Sequence, residues 1–466
     1  MPKVMLIKVP SYSDVISPPL GIGYLASNLN GTADVVIVDG IKIRLKPKQL
    51  GPALKAVEPD VVGLSIVSAA ARNALEYIKE IRSNRPDSII VAGGSHPSLV
   101  PEEFYDATRG DIDYILRGDA EISFKKLVER CWNLKSRDVK CSDIRDIPGI
   151  YAEASDGVVA SEIPVNQECN DFGMPEWKLM PPASYPKSPQ GAFFRKFPVA
   201  PLITSRGCTF NCGFCSAAKL KGRIVRFRTS ELITDEIKLL RDDFGVKEIQ
   251  IIDDNFAASK EHALSVCESI IANDLVMPWT CPNGIRVDTV DDEVVDAMKA
   301  SGCYSISFGL ETGSRKELER MNKRLDLDKA VNTINSIVKK NIQVNGFFIL
   351  GFPGETREDI YETMKLANEL PLTRAHFMLF TPLPGCEAFD RISKEQGSEF
   401  RYDSTFAEVS YVPDGFTARE LKKLHRKAIV RFYSRPEKAC KLLPALSSPE
   451  RLYYFVRRVV YWLWRS

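Results

Sequence analysis

Short apolar runs alternate with amphipathic segments along roughly the first 135 residues of the chain. The apolar runs are too short for helices and are typical of strands buried on both faces, whereas the segments between them carry the helical period. Continuous apolar strands separated by helices predict a parallel, doubly wound sheet. The predicted strands are 4–9, 34–39, 61–67, 88–92 and 112–116, and the predicted helices are 20–29, 48–57, 69–82 and 121–132.

The same alternation returns in the middle of the chain and predicts six further β/α units. Asp291 and Asp328 stand where N-cap or first-turn residues of two helices are expected. The predicted strands are 199–205, 248–253, 278–283, 304–309, 344–350 and 375–381, and the predicted helices are 230–242, 260–273, 291–300, 328–340 and 357–369.

Four regions follow from this pattern. Residues 1–135 form the first α/β domain and residues 198–385 the second. Between them, residues 136–197 predict a hairpin with an Asp-Gly turn, followed by a proline-rich connector. Residues 386–466 predict a helical C-terminal extension. The fold class is therefore α/β, with two successive parallel sheets.

Composition narrows the class of protein. A content of 44% hydrophobic and 27% charged residues is typical of globular domains, and a net charge of +2 gives no argument for nucleic acid binding. Of the 11 cysteines, all but three are scattered without a pairing pattern, which favours a reducing compartment. The start of the chain does not resemble a signal peptide, and no apolar run approaches the ~20 residues of a spanning helix. We therefore expect a cytoplasmic protein.

The C-terminal segment differs from the rest in charge. Residues 419–466 contain 13 Lys and Arg against three acidic residues, and the last part is also rich in aromatic side chains. Basic and aromatic residues together are typical of an interfacial helix on anionic lipid, which would place the protein at a membrane surface and suit a lipid-like substrate. The alternative is a helix packed over the second domain with its arginines outside.

The most informative stretch is a cysteine motif. Cys208, Cys212 and Cys215 follow the apolar run 199–203 with C-x3-C-x2-C spacing. Three thiolates on one short loop can bind a single [4Fe–4S] cluster, which normally takes four cysteines. Because no fourth cysteine follows nearby, one iron would stay open to an outside ligand. A zinc knuckle is the alternative, although zinc sites usually use paired C-x2-C or Cys/His sets.

With Phe214 directly before the third cysteine, this motif resembles that of the radical S-adenosylmethionine (SAM) enzymes. The resemblance implies that the open iron binds SAM and that an electron from the cluster cleaves SAM to a 5′-deoxyadenosyl radical. It also implies that the second domain is a partial (β/α)6 barrel, with its chemistry at the carboxyl ends of the strands.

The same resemblance suggests which residues bind SAM. Asp253 and Asp254 follow the second barrel strand, where the family often has Gly-Gly-Glu for the amino group of SAM. Arg286 follows the third strand and would pair with the carboxylate of SAM or with a protein aspartate. Glu311 follows the fourth strand and matches the glutamate that accepts from the ribose hydroxyls. Its alternative role is a glutamate facing a helix N-terminus.

The end of the fifth strand resembles the adenine-binding signature G-x-I-x-G-x-x-E of the family. Gly346, Gly351 and Glu355 match it, whereas Phe348 stands at the isoleucine position. The glycines would permit backbone contact with the adenine edge.

The first domain resembles the cobalamin-binding domain that precedes the barrel in one large subgroup of the family. Small residues stand at its strand ends, namely Ser65, Gly93, Gly94 and Gly118. The chain has neither G-x-G-x-x-G after the first strand nor D-x-H-x-x-G, so a bound cobalt would lack a histidine ligand. His96 is expected to be a turn residue. The alternative is a Rossmann-like module that only helps to bind substrate.

Together these features resemble the cobalamin-dependent radical SAM enzymes (class B methylase-like) over most of the chain. The resemblance implies methyl transfer to an unactivated carbon of a small-molecule or lipid-like substrate, with a flavodoxin- or ferredoxin-type electron donor and no nucleic acid. Two alternatives remain. One is a radical SAM cyclase or oxidoreductase acting on a lipid or porphyrin-like substrate, and the other is a non-catalytic regulator that binds cobalamin or SAM.

Overall fold

The computed structural model describes residues 1–11, 16–134, 140–187, 194–396 and 409–438, together with residues 449, 452, 453 and 456. The chain divides into two compact units. The first contains Met1–Pro186 and Lys219–Gly222, and the second contains Lys187–Ala218 and Arg223–Ser466.

The first unit is built on a seven-stranded sheet with strand order β2-β1-β3-β4-β5-β6-β7. Strands β1 to β5 are parallel, which confirms the predicted doubly wound sheet. The strands are β1 Lys3–Lys8, β2 Asp34–Asp39, β3 Val61–Ser65, β4 Ile89–Gly93, β5 Tyr114–Leu116, β6 Ile150–Ala154 and β7 Gly157–Ala160. The helices are α1 Leu20–Asn28, α2 Leu50–Val57, α3 Ala71–Asn84, α4 Ser95–Leu99, α5 Pro101–Ala107, α6 Glu121–Leu134 and α7 Cys141–Ile144.

Both faces of this sheet are buried, which explains its continuous apolar strands. Val4 and Leu6 of β1 belong to one core cluster, whereas Met5 and Ile7 belong to the cluster on the opposite face. Since successive side chains of a strand point to opposite faces, a strand covered on both sides needs apolar residues at every position.

The hairpin expected in the connector is part of this sheet. Strand β6 pairs antiparallel with β5, with Leu116 opposite Ile150, and β7 then pairs with β6. Ile150 and Ala152 are completely buried against the core of the first unit. Periodicity alone predicts a hairpin but does not say which sheet it extends, because that depends on pairing with a distant strand.

The second unit is built on six parallel strands in the order β15-β14-β13-β12-β11-β8, and the sheet does not close on itself. This confirms the predicted partial (β/α)6 barrel. Its strands are β8 Val199–Leu202, β11 Glu248–Ile251, β12 Trp279–Ile285, β13 Cys303–Glu311, β14 Gln343–Leu350 and β15 Arg374–Leu379, and a small ribbon pairs β9 Ser205–Arg206 with β10 Arg226–Phe227. Helix α8, Ala217–Lys221, begins in the second unit, and its residues from Lys219 onward are counted with the first. The other helices are α9 Ser230–Asp242, α10 Lys260–Ala272, α11 Asp292–Ala300, α12 Arg315–Arg320, α13 Leu327–Lys339, α14 Arg357–Glu369, α15 Glu387–Gln396 and α16 Ala418–Tyr433.

Side-chain caps fix where the barrel helices begin. Asp291 accepts a hydrogen bond from the Val294 N–H at 2.9 Å and caps α11, as expected. At α13 the cap is Asp326, and the predicted Asp328 lies in the first turn. Both positions place a carboxylate at the positive end of a helix dipole.

Helix α16 covers the outer edge of β15. The hydroxyl of Tyr433 accepts from the Ala375 N–H at 3.3 Å and donates to the Ala375 carbonyl at 3.1 Å. His425 Nε2 lies 2.9 Å from the Phe377 carbonyl, to which it donates. The Tyr433 and His425 side chains of α16 therefore hydrogen-bond to backbone groups of β15 that would otherwise pair with a seventh strand.

Among the described residues, every helix is too short or too polar to span a bilayer. The aromatic end of the C-terminal extension, for which the sequence suggests lipid contact, lies mostly outside the described residues.

Candidate active site at the carboxyl ends of the barrel strands

The three motif cysteines lie on a loop beyond β8 and β9. Cys208 and Cys212 are partly exposed and Cys215 is exposed. Burial by surrounding protein nevertheless raises the pKa of all three thiols, that of Cys215 to about 11. Binding of a metal to these thiols would displace their protons, because the thiolate is the ligand.

The described side chains do not form a preassembled metal site. Within the described ranges, no three side chains of His, Cys, Asp or Glu are close enough to hold one metal ion. A tetrahedral zinc site with Zn–S bonds of ~2.3 Å brings its sulfurs within about 4 Å of one another. The described side chains therefore form no ready-made zinc site, and it is the spacing of the three motif cysteines that indicates a cluster.

Asp253 fixes the chain just before the cysteine loop. Its carboxylate is buried and accepts from the Thr204 N–H at 2.7 Å, the Thr204 hydroxyl at 2.5 Å and the Ser205 hydroxyl at 2.8 Å. Burial raises the pKa of Asp253 to about 6, so the group is ionised at neutral pH and acts as an acceptor. Asp254 accepts from the Gly207 N–H at 2.9 Å. Both predicted SAM ligands therefore hold the cysteine loop in this structure.

A histidine extends this hydrogen-bond network. His262 Nε2 lies 3.2 Å from the Thr204 hydroxyl oxygen. Because Thr204 gives its one hydroxyl proton to Asp253, the imidazole must be the donor and carries its proton on Nε2. Burial lowers the pKa of His262 to about 4, which keeps the ring neutral.

A second segment supports the cysteine loop from the other side. We call residues 321–324, which follow α12, the bracing loop. The Met321 carbonyl accepts from the Gly213 N–H at 2.7 Å, and Asn322 Nδ2 donates to the Asn211 carbonyl at 2.8 Å. The loop between the cysteines is therefore held by hydrogen bonds on its own backbone.

Arg286 links the bracing loop to the cysteine loop. Its guanidinium makes a bidentate ion pair with Asp288, at 2.9 and 2.7 Å, and donates to the Lys323 carbonyl at 2.8 Å. The guanidinium carbon lies 3.8 Å from the ring centroid of Phe210, a cation–π contact. Of the two partners that the sequence suggests for Arg286, the structure shows the protein aspartate.

Glu311 ends β13 at the edge where the cysteine loop lies. Its backbone has φ +66°, a conformation that side chains other than glycine rarely adopt and that often marks a functional site. Its Oε1 accepts from Lys323 Nζ at 2.9 Å, and both side chains are buried. Glu311 is therefore in place for a ligand at this edge, with a buried cation as its neighbour.

The glycines of the predicted adenine signature have roles in packing. A Cβ on Gly346 would lie 2.9 Å from Leu372 Cδ1 and 2.9 Å from the Phe348 ring. Gly351 has φ +86°, and a Cβ there would lie 2.8 Å from Leu421 of α16. Glu355 is buried and accepts from the Gly351 N–H, so it closes the turn after β14. Its Oε1 has no hydrogen-bond partner among the described residues.

We expect Glu355→Gln to flatten the pH dependence of stability. Burial raises the pKa of Glu355 from 4.5 to about 8. The native state then holds this proton more tightly than the unfolded state, so stability falls as pH rises from 4.5 to 8. Glutamine keeps the acceptor for Gly351 and removes the ionisation. Between pH 6 and pH 9, the melting temperature of the variant should fall less than that of the wild type. Glu358→Gln, at an exposed position, is the control, and equal slopes for wild type and Glu355→Gln would contradict this prediction.

In the first unit, the structure brings the candidate cobalamin residues to one edge of the sheet. Ser65 and Gly93 are opposite each other at the carboxyl ends of β3 and β4, and Gly94 follows. Gly118 follows β5, and its N–H donates to Ser98 Oγ at 3.0 Å. A Cβ on Gly93 would meet only the Leu116 carbonyl oxygen within 4 Å, at 3.5 Å. His96, expected in a turn, instead lies in the short helix α4, because Gly94 ends the strand region directly before it; the side chain is buried, 3.3 Å from Ser68 Oγ.

We expect Gly94→Ala to destabilise this edge by roughly 2 to 4 kcal/mol, from the strain of the left-handed conformation and a backbone clash. Gly94 has φ +95°, and a Cβ would lie 2.6 Å from the Ile66 carbonyl oxygen. Hydrogen exchange in peptides covering β3 and β4 measures the loss. Gly110→Ala is the matched control, because Gly110 has φ +82° but no atom within 4 Å. Equal effects of the two substitutions would show that the clash does not matter.

Several residues that hold the site were not found from the sequence. Thr204, His262 and Lys323 each contact a predicted site residue or support the cysteine loop. Their positions, after a strand, in the first turn of α10 and after α12, are ordinary. Only the three-dimensional contact between distant segments distinguishes them from surface residues.

The residues present fit the groups that the sequence suggests. The donor set for the cluster is three accessible thiols on a fixed loop. Near the same edge, Asn255 Nδ2 and Glu355 Oε1 are buried without a hydrogen-bond partner in the described part of the chain, as expected where a polar ligand such as SAM binds. At the edge of the first sheet, Ser65 and Gly93 leave room for a flat ligand such as cobalamin.

Fold and site together define an enzyme class in which a doubly wound domain precedes an open barrel that carries three cysteines. Comparisons agree with this class. Residues 202–367 match the radical SAM superfamily, and residues 9–128 match the B12 binding domain. A Pyrococcus horikoshii protein described as an uncharacterized methyltransferase is 31% identical over 450 residues, which cover 93% of each chain.

Two further proteins are similar over most of the chain. The anaerobic magnesium-protoporphyrin IX monomethyl ester cyclase of Rubrivivax gelatinosus is 26% identical over 466 residues, covering 96% of this chain and 82% of that protein. The structure of the radical SAM methyltransferase TsrM from Kitasatospora setae, with cobalamin and a [4Fe–4S] cluster bound, superposes with a TM-score of 0.68 at 17% identity, covering 85% of this chain and 75% of that one.

The chain belongs to the cobalamin-binding subgroup of the radical SAM superfamily. It is an enzyme whose cofactors are a [4Fe–4S] cluster, SAM and cobalamin.

Proposed function

We propose that this enzyme transfers a methyl group to an unactivated carbon of a small-molecule substrate. The observation that carries the proposal is the cysteine loop with C-x3-C-x2-C spacing, fixed at the carboxyl ends of an open barrel in a chain that also contains a B12 binding domain. The relative that covers 93% of the chain is described as a methyltransferase.

The cofactors supply the reactive groups: when bound, the cluster and SAM provide a 5′-deoxyadenosyl radical, and cobalamin provides the methyl group. The chain positions them. In this proposal Cys208, Cys212 and Cys215 hold three irons of the cluster. Asp253 and Asp254 keep the loop in place through Thr204, Ser205 and Gly207. Glu311 accepts from the ribose of SAM, and Glu355 with Gly351 shapes the end of β14 near the adenine.

The concave face of the barrel supports a substrate with both polar and flat parts. Ser305 and Ser307 accept from Asn345 Nδ2 at 3.1 and 3.3 Å, which makes a polar floor. Phe347 and His376, one step further along β14 and β15, are partly exposed, with ring centroids 5.0 Å apart. In our proposal the substrate lies against these two rings, and the floor contacts its polar end.

The second candidate function is an oxidative cyclisation or a related radical reaction on a porphyrin or lipid. The observation that favours it is the similarity to a magnesium-protoporphyrin ester cyclase over 96% of the chain. Both candidates use the same radical, so the site around the cysteines does not separate them. The product does, because methylation adds a CH2 unit whereas cyclisation removes hydrogen.

We further propose that electrons come from a flavodoxin- or ferredoxin-type protein and that the enzyme works in the reducing cytoplasm. The scattered cysteines support this location, since the eight outside the motif show no pairing pattern. Contact with a membrane surface stays a prediction from the basic extension, most of whose aromatic end lies outside the described residues.

The test is an anaerobic assay of the full chain with reconstituted cluster, cobalamin and SAM that carries a deuterated methyl group. After addition of a strong reductant and a small-molecule extract, we expect 5′-deoxyadenosine together with a product that carries the deuterated methyl. Deoxyadenosine with a product that has lost hydrogen and gained no label would favour cyclisation. No deoxyadenosine, with iron and SAM both bound, would favour the non-catalytic regulator.

A further inference from the structure

Lys323 is a buried cation placed beneath the cysteine loop. The residue is only 5% exposed, and its Nζ lies 2.9 Å from Glu311 Oε1 and 5.8 Å from the ring centroid of Phe214. Burying an ammonium costs several kcal/mol even when it is paired, so a buried ion pair is weak evidence for stability. Stability alone therefore does not explain why the Lys323–Glu311 ion pair is buried at this position.

The backbone of Lys323 is fixed relative to the cysteine loop. Its carbonyl accepts from Arg286 NH1 at 2.8 Å, and the guanidinium of Arg286 contacts the Phe210 ring between the first two cysteines. On the N-terminal side, the Met321 carbonyl accepts from the Gly213 N–H at 2.7 Å, between the second and third cysteines. The backbone of Lys323 is therefore held relative to the cysteine loop by several contacts.

Gly309 leaves space for the ion pair between Lys323 and Glu311. A Cβ on Gly309 would lie 2.4 Å from Glu311 Oε1 and 3.1 Å from Lys323 Nζ. The backbone of Gly309 does not have a positive φ, so its conformation does not require glycine. The glycine is explained by the two charged groups that lie against it.

Lys323 and Arg286 are the cations that act on Cys212 and Cys208. Burial raises the pKa of Cys212, and the strongest charge acting against that rise is Lys323, followed by Arg286, whereas Glu311 acts in the opposite direction. At Cys208 burial and then the Asp254 carboxylate raise the pKa, and Lys323 followed by Arg286 lowers it. Lys323 is thus the cation with the strongest influence on both thiols.

We propose that Lys323 is a positioning residue that raises the reduction potential of the cluster, with Glu311 as the counter-ion that moderates it. Reduction adds one electron from an external donor and makes the cluster and its thiolates more negative, so a nearby fixed cation favours the reduced form. The inference rests on the cluster assignment and not on the identity of the methyl acceptor.

The test compares four variants of the full chain with reconstituted cluster, in the absence of SAM and cobalamin, by redox titration followed by electron paramagnetic resonance. For Lys323→Met we expect the equilibrium constant of one-electron reduction to fall at least about tenfold, which corresponds to ~59 mV. Glu311→Gln should shift the potential in the opposite direction. Lys323→Arg keeps the charge and should change the constant by less than about threefold. Lys340→Met removes an ion-paired lysine that directly follows α13, and it should leave the reduction potential unchanged.

A purely structural role for Lys323 predicts another outcome. It would lower the iron content of Lys323→Met and Glu311→Gln alike, and the potential of the clusters that form would be unchanged. Shifts of the same sign in the two variants, or no shift in either, would overturn the proposal. If Lys323→Met takes up no iron, the positive shift expected for Glu311→Gln decides. Failure of methyl transfer alone would leave these potentials measurable, so the two proposals can fail separately.

Discussion

Replacing Cys212 by alanine is expected to abolish 5′-deoxyadenosine formation. The three thiols provide the protein ligands of the proposed cluster, and two thiolates do not replace three, because one more iron would lose its protein anchor. The nearest substitute in sequence would have to be another cysteine, and no fourth cysteine follows the motif nearby. We expect iron content and the visible absorption of the cluster to be lost together with activity.

The control is Cys267→Ala, which removes a buried cysteine of α10 outside the motif. This variant should keep full iron content and cost only about 1 kcal/mol of stability for the small cavity. Deoxyadenosine formation by Cys212→Ala at more than a small fraction of the wild-type rate would contradict the assignment of the triad. Cys208→Ala and Cys215→Ala should behave like Cys212→Ala.

Asp253→Ala is expected to cause the largest loss of stability among single substitutions at the site. The carboxylate accepts three hydrogen bonds, and Thr204 and Ser205, which donate them, are buried. Each buried donor left without an acceptor costs ~1–3 kcal/mol, and the costs do not simply add. We expect a loss of about 3 to 5 kcal/mol in the free energy of unfolding. Iron uptake should fall as well, because the chain entering the cysteine loop would lose its anchor.

Urea unfolding of the second unit, followed by the fluorescence of the buried Trp279, measures this loss. Asp291→Ala is a suitable comparison, because that aspartate also accepts from a backbone N–H but lies at the exposed start of α11. A lost helix cap costs about 1 kcal/mol. If Asp253→Ala lowers the free energy of unfolding no more than Asp291→Ala does, the three hydrogen bonds to Asp253 do not hold the site.

Much of the fold could be predicted because the first sheet is buried on both faces and most strand residues of the second sheet are buried as well. Apolar strands such as 61–67 then form continuous runs that the sequence shows directly. The strand predicted at 199–205 is shorter in the structure, since β8 ends at Leu202 and the Thr204 N–H turns to Asp253 instead of a neighbouring strand. Such an ending depends on a side chain almost fifty residues away, which no local pattern reveals.

The candidate site was predictable where a motif fixes the chemistry and less so elsewhere. The cysteine spacing indicates a cluster whatever the surrounding structure. For Arg286, the sequence left open whether its partner is SAM or an aspartate, and the structure shows Asp288. Gly346 matches the adenine-binding signature, yet a Cβ at this position would lie against Leu372. Lys323 could not be predicted, because a lysine after a helix is normally exposed and only its contact with Glu311 shows otherwise.

The contacts between α16 and β15 have a consequence for aggregation. An open barrel has two edge strands, and an unpaired edge is a template on which another chain can add a strand. The Tyr433 hydroxyl and the His425 imidazole occupy backbone groups of Ala375 and Phe377 with side chains, which cannot propagate a sheet. The C-terminal extension thus keeps this edge closed to other molecules, so the chain can use an unclosed barrel without the self-association that an exposed parallel edge invites.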